Sequence, residues 1–177
     1  RTAMFSVGGH ANVDPRVCVQ GDPAVVQAQG EGLAAIVTAA LPGLKPVQGA
    51  VAAAVREPWE FQTTWSPQGR VSIYFPHAAK GSQVRTGISA WGVGGLAFIG
   101  LPGETVSEYR RIFRRRSPFR RTILVSLVND FIGYLPTDEI LTQGAYEAML
   151  SPLSPIQDAL TARGDAALAR LHAELGG

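Results

Sequence analysis

Two apolar runs, Val84 to Trp91 and Leu96 to Leu101, flank the pair Gly94-Gly95. Both central positions of a two-residue hairpin turn can require positive φ, which glycine adopts without steric penalty. The pattern therefore predicts two strands joined by a tight turn. It also disposes of a competing motif. Gly92-Val93-Gly94-Gly95-Leu96-Ala97 fits a loose dinucleotide fingerprint, but that fingerprint needs a helix after its glycines, and Leu96 to Leu101 reads as a strand.

Around this hairpin the chain alternates strand-like and helix-like segments. Residues 2 to 8 read as a short apolar strand stopping at Gly8-Gly9, followed by the polar loop His10-Ala11-Asn12-Val13-Asp14-Pro15-Arg16. Asp22 supplies an N-cap and Pro23 suits the first helical position, which predicts a helix to about Leu41 with Val26, Leu33, Val37 and Leu41 on its apolar stripe. Gly30 and Gly32 within it point to close packing on a sheet, and Pro42-Gly43 ends it. Val47 to Val55 reads as a strand. Trp59 to Phe75 reads as strand, turn, strand about Ser66-Pro67-Gln68-Gly69.

Beyond the hairpin, Val106, Tyr109 and Phe113 lie at helical spacing, so Thr105 to Arg116 is expected to be helical, with Glu104 just after a strand and at that helix's start. Thr122 to Val128 is an apolar strand, and Asn129 to Thr137 is a loop. Thr137-Asp138-Glu139 caps a short helix. Pro152 to Leu175 carries a final amphipathic helix that Gly164 is expected to interrupt. The fold class is α/β or α+β, a mixed β-sheet core with flanking helices.

Composition bounds the rest. With 46% apolar and 17% charged residues the chain is globular rather than disordered. One cysteine, Cys18, excludes an internal disulfide. No apolar run approaches the roughly 20 residues of a membrane span. A net charge of +2 names no partner, yet Arg110, Arg111, Arg114, Arg115, Arg116, Arg120 and Arg121 crowd one stretch. A solvated helix face with structural salt bridges and contact with an anionic membrane surface both fit that stretch. Nucleic acid fits poorly, because no aromatic residues are interleaved for base stacking. The chain opens with Arg1, and its first segment reads as a buried strand, so polypeptide upstream is expected.

Chemistry concentrates between Leu101 and Glu147. Leu101-Pro102-Gly103-Glu104-Thr105 and Asn129-Asp130-Phe131-Ile132-Gly133-Tyr134 each follow an apolar strand. Strand ends along one sheet edge are where α/β proteins place their sites, so Glu104 and Tyr134 are expected to face one cleft. Read alone, Glu104 is equally a first-turn acid favoured by the helix dipole. Tyr134 and Tyr146 read alone are ordinary half-buried tyrosines, Asp14 is a turn residue before proline, and His10 is a solvated loop histidine, or a proton shuttle or ligand for which it lies in the right loop. Asn129 reads as a residue that shapes the loop before Tyr134.

Three blocks together resemble the second half of the catalytic domain of the neutral, or alkaline non-lysosomal, ceramidase family. They are A-N-V-D-P-R at 11 to 16, L-P-G-E-T at 101 to 105, and N-D-F-I-G-Y-L-P-T from Asn129 with Tyr146-Glu147 beyond it. The resemblance implies a hydrolase in which one Zn2+, held by two histidines, a glutamate and a tyrosine, activates water against an amide bond. Glu104 and Tyr134 match the metal-binding glutamate and tyrosine, and Tyr146 matches a tyrosine that contacts the substrate carbonyl. The histidines belong to the family's first half, so an upstream half or a companion chain is expected to supply them. The family's G-D-V-S-P-N becomes A-N-V-D-P-R here, with Asp14 at the position of a serine implicated in cleavage. A carboxylate there can orient or deprotonate water.

These matches imply that residues 1–177 form the C-terminal half of a larger catalytic domain acting on an N-acyl, sphingolipid-like amide. A catalytically inactive domain that binds lipid or protein is the competing expectation, and Asp14 is its support. Any secreted, periplasmic or membrane-associated setting follows from the resemblance alone.

Overall fold

A computed structural model describes residues 5–18, 21–46, 52–64 and 80–177. The chain divides into two compact units, Asp14–Gly49 and the remainder, Arg1–Val13 with Ala50–Gly177.

The smaller unit is built on α1 (Pro23–Ala40). Asp22 caps it by accepting from the Ala24 N–H at 2.9 Å, and a 3-10 turn at Leu41–Gly43 closes it, as the sequence predicts. Its stripe is not buried, however. Val26, Leu33, Ile36 and Val37 are all exposed, and among the described residues nothing lies within 4 Å of where a side chain at Gly30 or Gly32 would begin. Within the smaller unit no strand is described on which these glycines could pack. The expected absence of a long apolar segment is corrected: taken with its closing turn, Pro23–Gly43 is long and apolar enough to cross a membrane by length and composition. Gln27, Gln29 and Glu31 break the run in the sequence without making the helix polar as a whole.

The larger unit carries a four-stranded sheet of β1 (Ala52–Gln62), β2 (Gln83–Val93), β3 (Leu96–Gly100) and β5 (Arg121–Val125), in the order β1-β2-β3-β5. The first three pair antiparallel and β3 with β5 parallel, so the sheet is mixed and the α/β expectation holds. The β2–β3 hairpin turns at Gly94 (φ 55°) and Gly95 (φ 79°), the conformation that selects glycine at both positions.

Two separate strands expected on either side of Pro58 are one continuous strand, β1. Proline donates no ladder hydrogen bond and is confined to outer strands. Among the described residues β1 has only β2 beside it, and Pro58 stands opposite Gly87, whose missing side chain leaves room for Arg56. Residues 65–79, which include the expected turn at 66 to 69, lie outside the described residues, as do 1–4 and 47–51. Phe5 to Gly8 form no strand, but the Val7 and Gly8 carbonyls accept from the Ser126 N–H and hydroxyl at 2.8 and 2.7 Å.

The helices α2 (Glu108–Arg116) and α5 (Gln157–Glu174) pack with the sheet around one apolar core. Trp59, Ile88, Ile99, Tyr109, Phe113, Leu160 and Leu168 anchor that core. Gly164 does not interrupt α5. A β-carbon there would fall on the Phe113 ring and lie 3.0 Å from Ile99 Cδ1, so the glycine is where the helix makes space for Phe113. The Arg163 guanidinium covers the Trp59 ring at 5.4 Å, a cation–π contact that closes the other side of the same helix segment. Arg116 pairs with Asp165 and ties α2 to α5.

Candidate metal centre

Where helix was expected, residues 104 and 105 form β4 (Glu104–Thr105), and the following loop contains β6 (Tyr134–Leu135). The two pair in parallel with Glu104 opposite Tyr134 and Thr105 opposite Leu135. Helix α2 starts four residues after Glu104, at Glu108, so a first-turn acid is not what Glu104 is. A bridge this short has no propensity signal of its own. It forms because the strand-end loops are tied together: the Leu127 N–H donates to Gly103 C=O at 3.2 Å, Val128 N–H to Leu101 C=O at 3.0 Å, and Ile132 N–H to Pro102 C=O at 2.9 Å.

Close approach of the two backbones needs glycine on both sides. A β-carbon at Gly103 would strike the Gly133 carbonyl oxygen, which accepts the Glu104 N–H at 2.9 Å. Gly133 itself has φ 112°. Leu127 (φ 58°) and Asn129 (φ 63°) are also left-handed. Asn129 tolerates that conformation, and its Nδ2 donates to Ser89 Oγ at 3.0 Å, which fits its reading as the residue that shapes this loop. Leu127 is a less favoured occupant, and positive φ in bulky residues concentrates where surrounding contacts over-determine the backbone.

Tyr146 arrives from α4 (Tyr146–Met149), whose end is held to β6 by the Tyr134 N–H donating to Leu150 C=O at 3.2 Å. Its ring meets the Tyr134 ring edge to face, with centroids 5.5 Å apart and planes at 85°. The Tyr134 phenol lies close enough to the Glu104 carboxylate and the Tyr146 phenol for both to bear on its ionisation. Burial, then the hydrogen bond to and charge of Glu104, then Tyr146, push the Tyr134 pKa well above that of a free phenol. Tyr134 is half-buried, whereas Tyr146 is 58% exposed.

Sequence reasoning left His10 between a solvated loop histidine and a loop ligand or proton shuttle. Its backbone is docked on β4: the His10 and Ala11 N–H groups both donate to Thr105 C=O, at 2.8 and 3.1 Å. Asn12 fixes the next turn, accepting from Ser107 N–H at 2.8 Å and donating from Nδ2 to Glu108 Oε2 at 3.0 Å. As a result His10 Nε2 stands 3.8 Å from Glu104 Oε2. The signal available in the sequence was the block match itself, since His10 directly precedes Ala11-Asn12-Val13-Asp14. Asp14 belongs to the smaller unit and is exposed there.

Glu104, Tyr134 and Tyr146 are thus brought together. Among the described residues no group of three His, Cys, Asp or Glu side chains forms a metal cluster. Glu104 and Tyr134 are cross-strand neighbours, and a carboxylate and a deprotonated phenol are both acceptable zinc donors. The donor set fits part of a zinc site.

No protein-family model and no curated protein sequence matches this chain. Among solved structures, neutral ceramidase from Pseudomonas aeruginosa is similar to it, with a TM-score of 0.40 and 21% identity over 50% of this chain. That stretch is 16% of the ceramidase chain, so this sequence spans only a small part of that protein's length.

Proposed function

We propose that this chain is part of a zinc-dependent hydrolase of neutral-ceramidase type, which cleaves an amide bond in an N-acyl, sphingolipid-like substrate. The observation that carries the reading is the β4–β6 register: it sets the carboxylate of Glu104 against the phenol of Tyr134, the two residues that the sequence blocks single out as ligands.

A bound zinc would supply Lewis acidity toward the carbonyl and lower the pKa of a water to about 7. Glu104 and Tyr134 would hold it, Tyr134 as the phenolate, since a dication favours the charged form that burial and Glu104 disfavour. Tyr146, exposed beside Tyr134, donates its O–H to the substrate carbonyl oxygen as that oxygen gains charge. The resemblance of the first sequence block alone supports a proton-accepting role for Asp14. The remaining zinc donors come from an upstream half of the domain or from a companion chain.

Asp14 in place of a serine favours a second reading, a ceramidase-like domain without catalysis that binds lipid or protein. Zinc analysis of the complete protein separates the two. The hydrolase reading expects one zinc per protein and amide cleavage of an N-acyl sphingoid probe, both lost in the Glu104→Ala, Tyr134→Phe double variant. A folded protein that is metal-free and inert but still binds the probe supports the second reading and sinks the first.

A further inference from the structure

The proposed site has two oxygen donors from this chain and was expected to take all its nitrogen donors from elsewhere. His10 changes that count. Its Nδ1 lies 3.0 Å from the Gly8 carbonyl oxygen, and a carbonyl only accepts, so Nδ1 carries the proton. In the neutral ring this leaves the lone pair on Nε2, the atom 3.8 Å from Glu104 Oε2. A proton on Nε2 or a metal cation between the two atoms would each make that approach favourable, and the spacing and outer-shell contacts bear on the second.

Two donors on one tetrahedral zinc, with bonds of about 2.0–2.2 Å, stand roughly 3.3–3.5 Å apart. The observed separation is within half an ångström of that. The arrangement is also built rather than incidental. An imidazole whose distal N–H is fixed by a backbone carbonyl is the usual outer-shell arrangement of a ligating histidine. Here the loop that carries it is fixed by two backbone hydrogen bonds to Thr105, the residue after Glu104, and by Asn12 on Ser107 and Glu108. The imidazole is 31% and the carboxylate 25% exposed, so a cation and water can reach both.

We infer that His10 Nε2 is a third metal donor of this site, so that the chain itself brings a nitrogen, a carboxylate oxygen and a phenol oxygen to one cation. The inference rests on the zinc reading above and narrows it: His10 would stand for one of the two histidines expected from elsewhere, leaving one further protein donor to be supplied. The site joins three segments distant in sequence, the loop at 8–13, β4 and β6.

The test uses the complete protein, labelled with 15N-histidine and titrated with zinc in a competing chelator. The expected result is a large zinc-dependent shift of the His10 Nε2 resonance in the unsubstituted protein. Zinc affinity should also fall in His10→Ala by more than the roughly 10–100-fold that loss of an outer-shell partner costs. The resonance readout needs no variant, so a His10→Ala protein that fails to fold does not spoil it. Zinc binding that depends on Glu104 but leaves Nε2 unmoved and His10→Ala affinity unchanged overturns the inference and spares the zinc reading. A protein that binds no zinc overturns both.

Discussion

Tyr109 is fully buried on α2, and its hydroxyl donates to the Pro136 carbonyl at 2.9 Å. Burial first, then the neighbouring charges of Asp138 and Asp158, raise its pKa far above a free phenol's. Tyr134 is raised too, by burial and by Glu104. In the unfolded chain both phenols ionise near pH 10. Below that pH their contribution to stability is fully present. As pH rises past about 10 the unfolded state loses protons that the native state retains, so stability falls. Urea unfolding between pH 8 and 11 should show that decline, and Tyr109→Phe should flatten it. At pH 7 the same variant should cost about 1 kcal/mol, the net worth of one buried hydrogen bond. An unchanged slope in Tyr109→Phe would mean that the phenol is not the group responsible.

At the level of elements, the site depends on how closely β4 and β6 approach. A methyl at Gly103 meets the Gly133 carbonyl and comes within 3.1 Å of Leu135 Cγ. Gly103→Ala is therefore expected to destabilise by about 1–3 kcal/mol, the usual cost of overpacking a filled space. It should also speed hydrogen exchange at the Glu104 amide, whose acceptor is that same carbonyl. Full protection of that amide in the variant would show that the bridge does not need the glycine.

Elements with local instructions were legible in the sequence. Asp22-Pro23 opened α1, Gly94-Gly95 turned the hairpin, and Thr137 capped α3 (Asp138–Gln143) by accepting from Ile140 N–H at 3.4 Å. Tyr109 and Phe113 lie on the buried face of α2, as their spacing predicts. What failed were features fixed by partners far along the chain. The β4–β6 bridge is two residues long and is set by loop carbonyls. Pro58 and Gly164 look like breaks until their neighbours, Gly87 and Phe113, are known. The candidate site followed the same division. Glu104, Tyr134 and Tyr146 were legible as a motif, while the nearness of His10 comes from the Thr105 carbonyl, which no spacing rule contains.

For the molecule as a whole, charge and apolar surface are distributed unevenly. Arg116 is engaged by Asp165, but Arg110, Arg111, Arg114 and Arg115 stand exposed on α2. If the substrate is a lipid amide, these are the groups that would meet an anionic bilayer, each contributing about 1 kcal/mol near its surface. Cosedimentation with phosphatidylserine vesicles at low salt should fall when the four are changed to glutamine, and should fall with added salt in the unsubstituted protein. Binding that ignores both changes would assign any lipid affinity to other surfaces, the apolar helix α1 among them.

The edge-to-face pair of tyrosines carries one more consequence. Of the phenols among the described residues, Tyr109 is sealed in the core and Tyr134 half-covered, so Tyr146 is the ring that a water-borne nitrating reagent meets most readily. A nitro group there would turn this exposed ring into a coloured reporter, placed edge to face against Tyr134.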